Sequence, residues 1–187
     1  MNPTSRELTS AVLACLFAAL TALGAFMAIP IPGSPVPIVL QNLFIMLSAL
    51  ILGPWWSLMS TTIYLGFGLI GMPVFSAGSS GLTALLGPTG GYLLGYLPAS
   101  LAIGYLARLG RKRLWMNAVA CSFGMLIVYA LGVSFLKLRL DLTWQRAFTA
   151  GMLPFLPGDI AKIVLAALLA PRIIKGLDAL ELTGSDG

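Results

Sequence analysis

The chain contains no histidine, and between Leu8 and Ala107 it contains no Asp, Glu, Lys or Arg. Without histidine the usual zinc, haem and imidazole proton-relay chemistries have no ligand or carrier. Charged residues make up 9% of the 187 residues, where a soluble domain carries about 25%. A water-soluble fold does not leave so long a stretch uncharged. With 58% hydrophobic residues and a mean hydropathy of +0.96, the composition describes an integral membrane protein, one domain over residues 1–187. Cys15 and Cys121 both fall in apolar segments without metal-ligand spacing and read as small packing residues, not as a disulfide. No serine has a histidine to activate it, no two carboxylates form a pair in an apolar segment, and no glycine-rich stretch is followed by the lysine of a phosphate-binding loop. An enzyme reading therefore lacks its residues. The net charge of +5 is not arranged as a basic stripe with interleaved aromatics, so nucleic acid is not implied. No cofactor is expected.

What is present is six apolar segments, about 8–29, 38–52, 56–70, 92–107, 114–136 and 152–171. The expectation is an all-α membrane protein of six transmembrane helices, with loops capping an outward-facing pocket. The first segment is too long, and wrongly flanked, for a cleaved signal peptide and is read as a retained span. Six crossings put both termini on one side. That side then holds Arg6, Arg108, Arg111, Lys112, Arg113, Arg172 and Lys175, and the other holds Lys137, Arg139 and Arg146. The excess of cations places both termini in the cytoplasm of a bacterial cell.

One charged pair breaks the pattern. Asp159 and Lys162, in Pro157-Gly158-Asp159-Ile160-Ala161-Lys162, lie well inside an apolar segment. A charge in hydrocarbon costs about 2.5–3.5 kcal/mol on insertion scales. Three residues apart on a helix, the two share a face and partly neutralise each other. They form either an internal structural ion pair or the wall of a ligand site. Gln41 and Asn42, at the start of the second segment, are two further polar groups that need partners. They bond either to loop backbone or to a ligand.

Two connections are unusual. Pro30, Pro32, Pro35 and Pro37 make the first stiff and extended. Residues 71–92 are rich in glycine, apolar and uncharged, and are expected to be a loop without regular structure that folds back over the protein. Such a loop presents backbone N–H groups and the Ser79, Ser80 and Thr89 hydroxyls, and its glycines allow close approach to a ligand. By the inferred topology both connections share the outer face with Asp159. A carboxylate, an ammonium, two amides and several hydroxyls among apolar side chains suit a small, partly apolar acid with an amide-like ring. On the first segment Ala14 and Ala18 form one small-residue stripe, and Ala11, Cys15 and Ala19 a neighbouring one. Spacing alone leaves internal packing and contact with another protein both open.

Four stretches together resemble the BioY family: Val36-Pro37-Ile38-Val39-Leu40-Gln41-Asn42, Gly71-Met72-Pro73-Val74-Phe75, Leu86-Gly87-Pro88-Thr89-Gly90-Gly91-Tyr92 and Pro157-Gly158-Asp159-Ile160-Ala161-Lys162. BioY proteins are the biotin-binding S components of energy-coupling factor vitamin transporters. The resemblance implies biotin uptake, with the substrate handed inward by a transmembrane T component and two ATP-hydrolysing A subunits. A stand-alone carrier, or a channel or enzyme unrelated to vitamins, is the alternative. The implied substrate-binding residues are Asp159, Lys162, Gln41, Asn42, Gly78, Ser79, Ser80, Gly81 and Tyr92, and the implied partner contact is Ala14 and Ala18. In one place the chain departs from the family. Where members often read Gly-Gly-Arg-Gly-Gly, this sequence has Ala77-Gly78-Ser79-Ser80-Gly81. Ser79 stands where that cation would meet the valerate carboxylate, leaving the acid to backbone N–H groups with Ser79 and Ser80, or to Lys162.

Overall fold

The computed structural model describes residues 3–110 and 113–179. Arg111 and Lys112 of the cationic cluster, and Glu181 and Asp186 of the tail, lie outside the described residues. Helices occupy all six apolar segments: α1 (Pro3–Phe26), α2 (Gln41–Leu52), α3 (Pro54–Leu69), α5 (Gly90–Leu109), α6 (Leu114–Leu140) and α8 (Leu156–Ala179). Two shorter helices lie between them, α4 (Gly81–Leu86) and α7 (Trp144–Gly151). The fold is an all-α bundle.

The expected count of six long spans does not appear in the helices themselves. Two described helices are long and apolar enough to cross a membrane unaided, over Arg6–Phe26 and Leu114–Leu140. A third arises if α7 and α8, bent by 50° at their junction, are taken as one. The physical reason is length and dilution. Helix α2 has 12 residues, about 18 Å at 1.5 Å per residue against a hydrocarbon core of about 30 Å. Helix α5 is long enough at 20 residues, but glycines, tyrosines and Pro98 interrupt its apolar run.

The tightest pairing is α5 against α6. A β-carbon at Gly91 would meet the Leu131 carbonyl oxygen at 2.5 Å, and one at Gly132 would meet the Tyr92 ring at 2.3 Å. Small residues let these backbones approach closely, which is how helices associate where there is no hydrophobic force between them. Helix α1 packs on α2 and α3, and α8 closes the bundle against α2 and α6.

The proline-rich connection is stiff, as its composition requires. Ile29 and Ile38 exchange both backbone hydrogen bonds, at 2.8 and 2.9 Å. At the loop tip the Ser34 hydroxyl donates to the Ala150 carbonyl of α7 at 2.7 Å. The 71–92 connection is more regular than expected, since it holds a 3-10 turn at Ser76–Gly78 and the six residues of α4. Its anchor is Phe75, fully buried, edge-on to Tyr64 with ring centroids 5.6 Å apart. Cys15 and Cys121 are both free.

Candidate binding site

The site begins where α2 starts. Leu40 N–H donates to the Gly24 carbonyl at 3.0 Å. A β-carbon at Gly24 would sit 2.8 Å from the Gln41 nitrogen, so this glycine lets α1 meet the α2 N-terminus and turns Gln41 and Asn42 inward. Both amides are buried, at 2% and 7% exposure. Opposite them the first turn of α8 carries Asp159, where the partial positive charge of a helix N-terminus favours a carboxylate. Lys162 follows one turn later on the same face.

Asp159 and Lys162 are 5% and 7% exposed and form an ion pair, Nζ to Oδ1 at 2.9 Å. Asn42 Nδ2 donates to the same oxygen at 2.8 Å. The Tyr129 hydroxyl of α6 donates to Asp159 Oδ2. Lys162 also donates to the Val39 carbonyl at 2.7 Å. The carboxylate is thus held from three elements, α2, α6 and its own helix, and the pair is neutralised inside the bundle. Gln41 Nε2 donates to the Tyr96 hydroxyl at 2.9 Å. The other ends of the two amides are unmatched: Gln41 Oε1 and Asn42 Oδ1 are buried and accept no hydrogen bond among the described residues. Buried acceptors in native proteins are nearly always paired, with protein or with ordered water, so these two oxygens beside an ion pair are open to a donor from outside the chain.

These groups line one cavity with about 520 Å³ of empty space between its atoms, partly open to solvent. Val36 and Pro37 of the proline-rich loop, Ser76, and Thr89 just before α5 contribute to it. Leu93, Met125, Val128 and Phe155 supply apolar wall. Polar groups few in number and convergent, set in an apolar wall, are the make-up of a small-molecule pocket.

Five of the residues expected from sequence meet here: Gln41, Asn42, Tyr92, Asp159 and Lys162. Tyr92 acts mainly as a strut, its hydroxyl donating to the Gly151 carbonyl at 2.6 Å. Gly78, Ser79, Ser80 and Gly81 do not line the cavity; of that connection Ser76 and Thr89 do, with Tyr92 at its end. The Ser79 hydroxyl is turned back to the Ser76 carbonyl at 2.8 Å. Nothing comes within 4 Å of a β-carbon built at Gly78 or Gly81, and both have positive φ, +74° and +72°. These two glycines serve a backbone turn, not a close approach. Tyr96 and Tyr129 were missed by sequence reasoning. The signal available was Tyr92 and Tyr96 four residues apart on one face of a helix, and a tyrosine hydroxyl in mid-span of α6 that needs a partner.

The small-residue stripe of α1 is corrected. Ala14 and Ala18 are buried in the bundle at 0% and 4% exposure, covered by the chain's own helices. The stripe that faces outward is the neighbouring one, with Cys15 and Ala19 exposed and Ala11 partly so.

Comparison with known proteins agrees with this architecture. The model of the BioY family matches residues 1–179. A probable biotin transporter BioY of Lysinibacillus sphaericus is 38% identical over 173 residues, covering 89% of this chain and 87% of that one. The biotin transporter BioY of Thermotoga maritima is 38% identical over 164 residues, covering 88% and 95%. A crystal structure of the S-component for biotin from an ECF-type ABC transporter superposes with a TM-score of 0.86 at 28% identity, covering 94% of this chain and 95% of that one. With a family model running through every helix and relatives matched over nearly their whole length, this membrane chain belongs to the BioY family.

Proposed function

We propose that this chain is the biotin-binding subunit of an ATP-driven vitamin uptake system, and that biotin occupies the cavity between α2, α5, α6 and α8. The observation that carries the proposal is the pair of unpartnered acceptors, Gln41 Oε1 and Asn42 Oδ1, beside the neutralised Asp159–Lys162 pair. The ureido ring of biotin has two N–H donors and one carbonyl acceptor, and the two amide oxygens suit the donors. Of the three N–H bonds of Lys162, Asp159 and Val39 take two, and the third is available to a ligand oxygen. Asp159 receives from Asn42, Lys162 and Tyr129, so its role is to hold those groups in place more than to bind the ring alone. The thiophane and the methylenes of the tail find apolar wall. Ser76 and Thr89 offer hydroxyls for the valerate carboxylate, in place of Ser79, Ser80 and the backbone at Gly78 and Gly81, which lie outside the cavity. That the relatives named above are biotin transporters supports this choice of ligand.

The chain works by binding. Hydrolysis of ATP falls to two A subunits, coupled through a T component. We assign the outward stripe of α1, Ala11, Cys15 and Ala19, to contact with that component. The bundle crosses the membrane six times with both termini in the cytoplasm. Short α2 and interrupted α5 are completed across the bilayer by the packed loops at their outer ends, since irregular backbone is tolerated there when protein covers it.

Calorimetric titration of the purified protein with biotin, beside thiamine and riboflavin, tests the proposal. Saturable one-to-one binding of biotin alone is the expected outcome. Failure of folded protein to bind biotin would reject the ligand and leave the site to another small acid with an amide-like ring.

A further inference from the structure

A second cavity lies at the opposite end of the bundle, away from the site above. It has about 1690 Å³ of empty space, part of it open to solvent. Its walls come from the C-terminal ends of α2, α5 and α8 and the start of α6. Leu50, Ile51 and Leu52 of α2, with Pro171 and Ile174 of α8, form the apolar part. Four polar groups line it as well: Arg108, Lys175, Asn117 and Asp178.

Among the described residues neither Arg108 nor Lys175 forms an ion pair with a carboxylate. Asp178 lines the same cavity and already has an interaction of its own. Asn117 is 7% exposed, and among the described residues its side-chain amide makes no hydrogen bond. Its polar atoms stay accessible, and it lines a cavity with two cations on its rim. Arg108 is also seated by the backbone. Gly53, at φ +79°, lies against its guanidinium, and a β-carbon there would approach to 2.6 Å. An apolar trough, two unpaired cations and an amide donor at depth match an amphiphile with a phosphate head: the trough takes the upper acyl chain, the cations take the phosphate, and Asn117 takes a glycerol or ester oxygen.

We propose that this cavity binds the headgroup and proximal chain of an anionic phospholipid. The lipid, and not free phosphate, is chosen because the cations alone do not use the apolar wall. The site also sits at an end of the bundle where Arg108, Arg113, Arg172 and Lys175 gather, and cation-rich ends face the anionic cytoplasmic leaflet. The proposal is independent of what the first cavity holds.

The test is native mass spectrometry of the full chain released from nanodiscs of phosphatidylglycerol and phosphatidylcholine in equal parts, together with thermal shift in detergent on adding each lipid or inorganic phosphate. Wild type is expected to retain phosphatidylglycerol selectively and to be stabilised by it, with no shift from inorganic phosphate. R108Q/K175Q is expected to lose about five-fold in phosphatidylglycerol retention for each cation removed, while R108K/K175R keeps it. N117L, with its backbone and helix unchanged, is expected to lose part of the selectivity. Elution and helical circular dichroism like wild type establish that each variant is folded. Equal retention by R108Q/K175Q overturns the proposal, as does equal retention of phosphatidylcholine. A shift by inorganic phosphate equal to that of the lipid overturns the lipid in favour of a free anion. Unchanged lipid with lost co-purification of a protein partner would make the cavity a docking surface instead.

Discussion

At the scale of single residues, the Asp159–Lys162 pair carries two roles that substitution can separate. Removing one partner of a buried pair leaves an uncompensated charge, which costs about 3–5 kcal/mol, whereas replacing both by apolar groups is often neutral. Lys162→Met is therefore expected to lower the unfolding temperature in detergent, and Asp159→Leu with Lys162→Met to recover most of it, with biotin binding lost in both. Recovery of binding along with stability would remove the pair from the site. Asn42 and Gln41 differ from this pair in keeping an unmatched oxygen each. Asn42→Leu is expected to weaken biotin by roughly 5- to 150-fold, the loss of a hydrogen bond worth about 1–3 kcal/mol to a buried group. A titration isotherm like that of wild type would show that its free oxygen faces no ligand. The polarity of these residues in an apolar segment was plain in the sequence. That Asp159 is saturated by Tyr129 and Asn42 was not, because those partners come from helices remote in the chain.

At the scale of elements, the α5–α6 seam positions Tyr92, Tyr96 and Tyr129, whose hydroxyls meet Gly151 of α7, Gln41 of α2 and Asp159 of α8. Its closeness depends on residues without side chains. Gly132→Ala is expected to lower stability by about 1–3 kcal/mol, the usual result of forcing an extra carbon into a filled seam, and to weaken biotin by displacing the Tyr92 ring. A thermal unfolding midpoint unchanged from wild type would contradict the tight seam. Phe75 plays the corresponding part for the 71–89 connection, with its ring over Gly68 and against Tyr64. Six apolar segments were legible as helices from hydropathy. The short helices α4 and α7 were not, since six and eight residues are too few to establish a period and are stabilised by packing, not by propensity.

At the scale of the whole molecule, the two cavities sit at opposite ends of one bundle, and the charges are divided between those ends. The proposed topology has a direct test in a background with Cys15 and Cys121 replaced by Ala. Ser79→Cys is expected to react with an impermeant maleimide in intact cells, and Arg172→Cys only after permeabilisation. Labelling of both in intact cells would contradict an orientation with the biotin cavity outside. The outward stripe of α1 belongs to this scale as well. Ala19→Trp is expected to leave biotin binding unchanged and to abolish co-purification with the T component, while Ala18→Trp, inside the bundle, is expected to destabilise the chain itself.

The sequence by itself determined the medium, the helical class and the chemistry of the pocket. An uncharged run from Leu8 to Ala107 admits no solvent but lipid. The charges at Asp159 and Lys162, and the amides at Gln41 and Asn42, mark where that rule is broken. Tertiary structure alone decided which groups are spent and which remain free. It gave the Asn42 and Gln41 nitrogens to Asp159 and Tyr96 and left their oxygens open. It turned Ala14 and Ala18 inward and Ala19 outward, although spacing treats the two stripes alike. The reason is the same in each case. Residue type states what bonds a group is able to make, but partners separated by up to 123 positions in the chain meet only once the helices have packed.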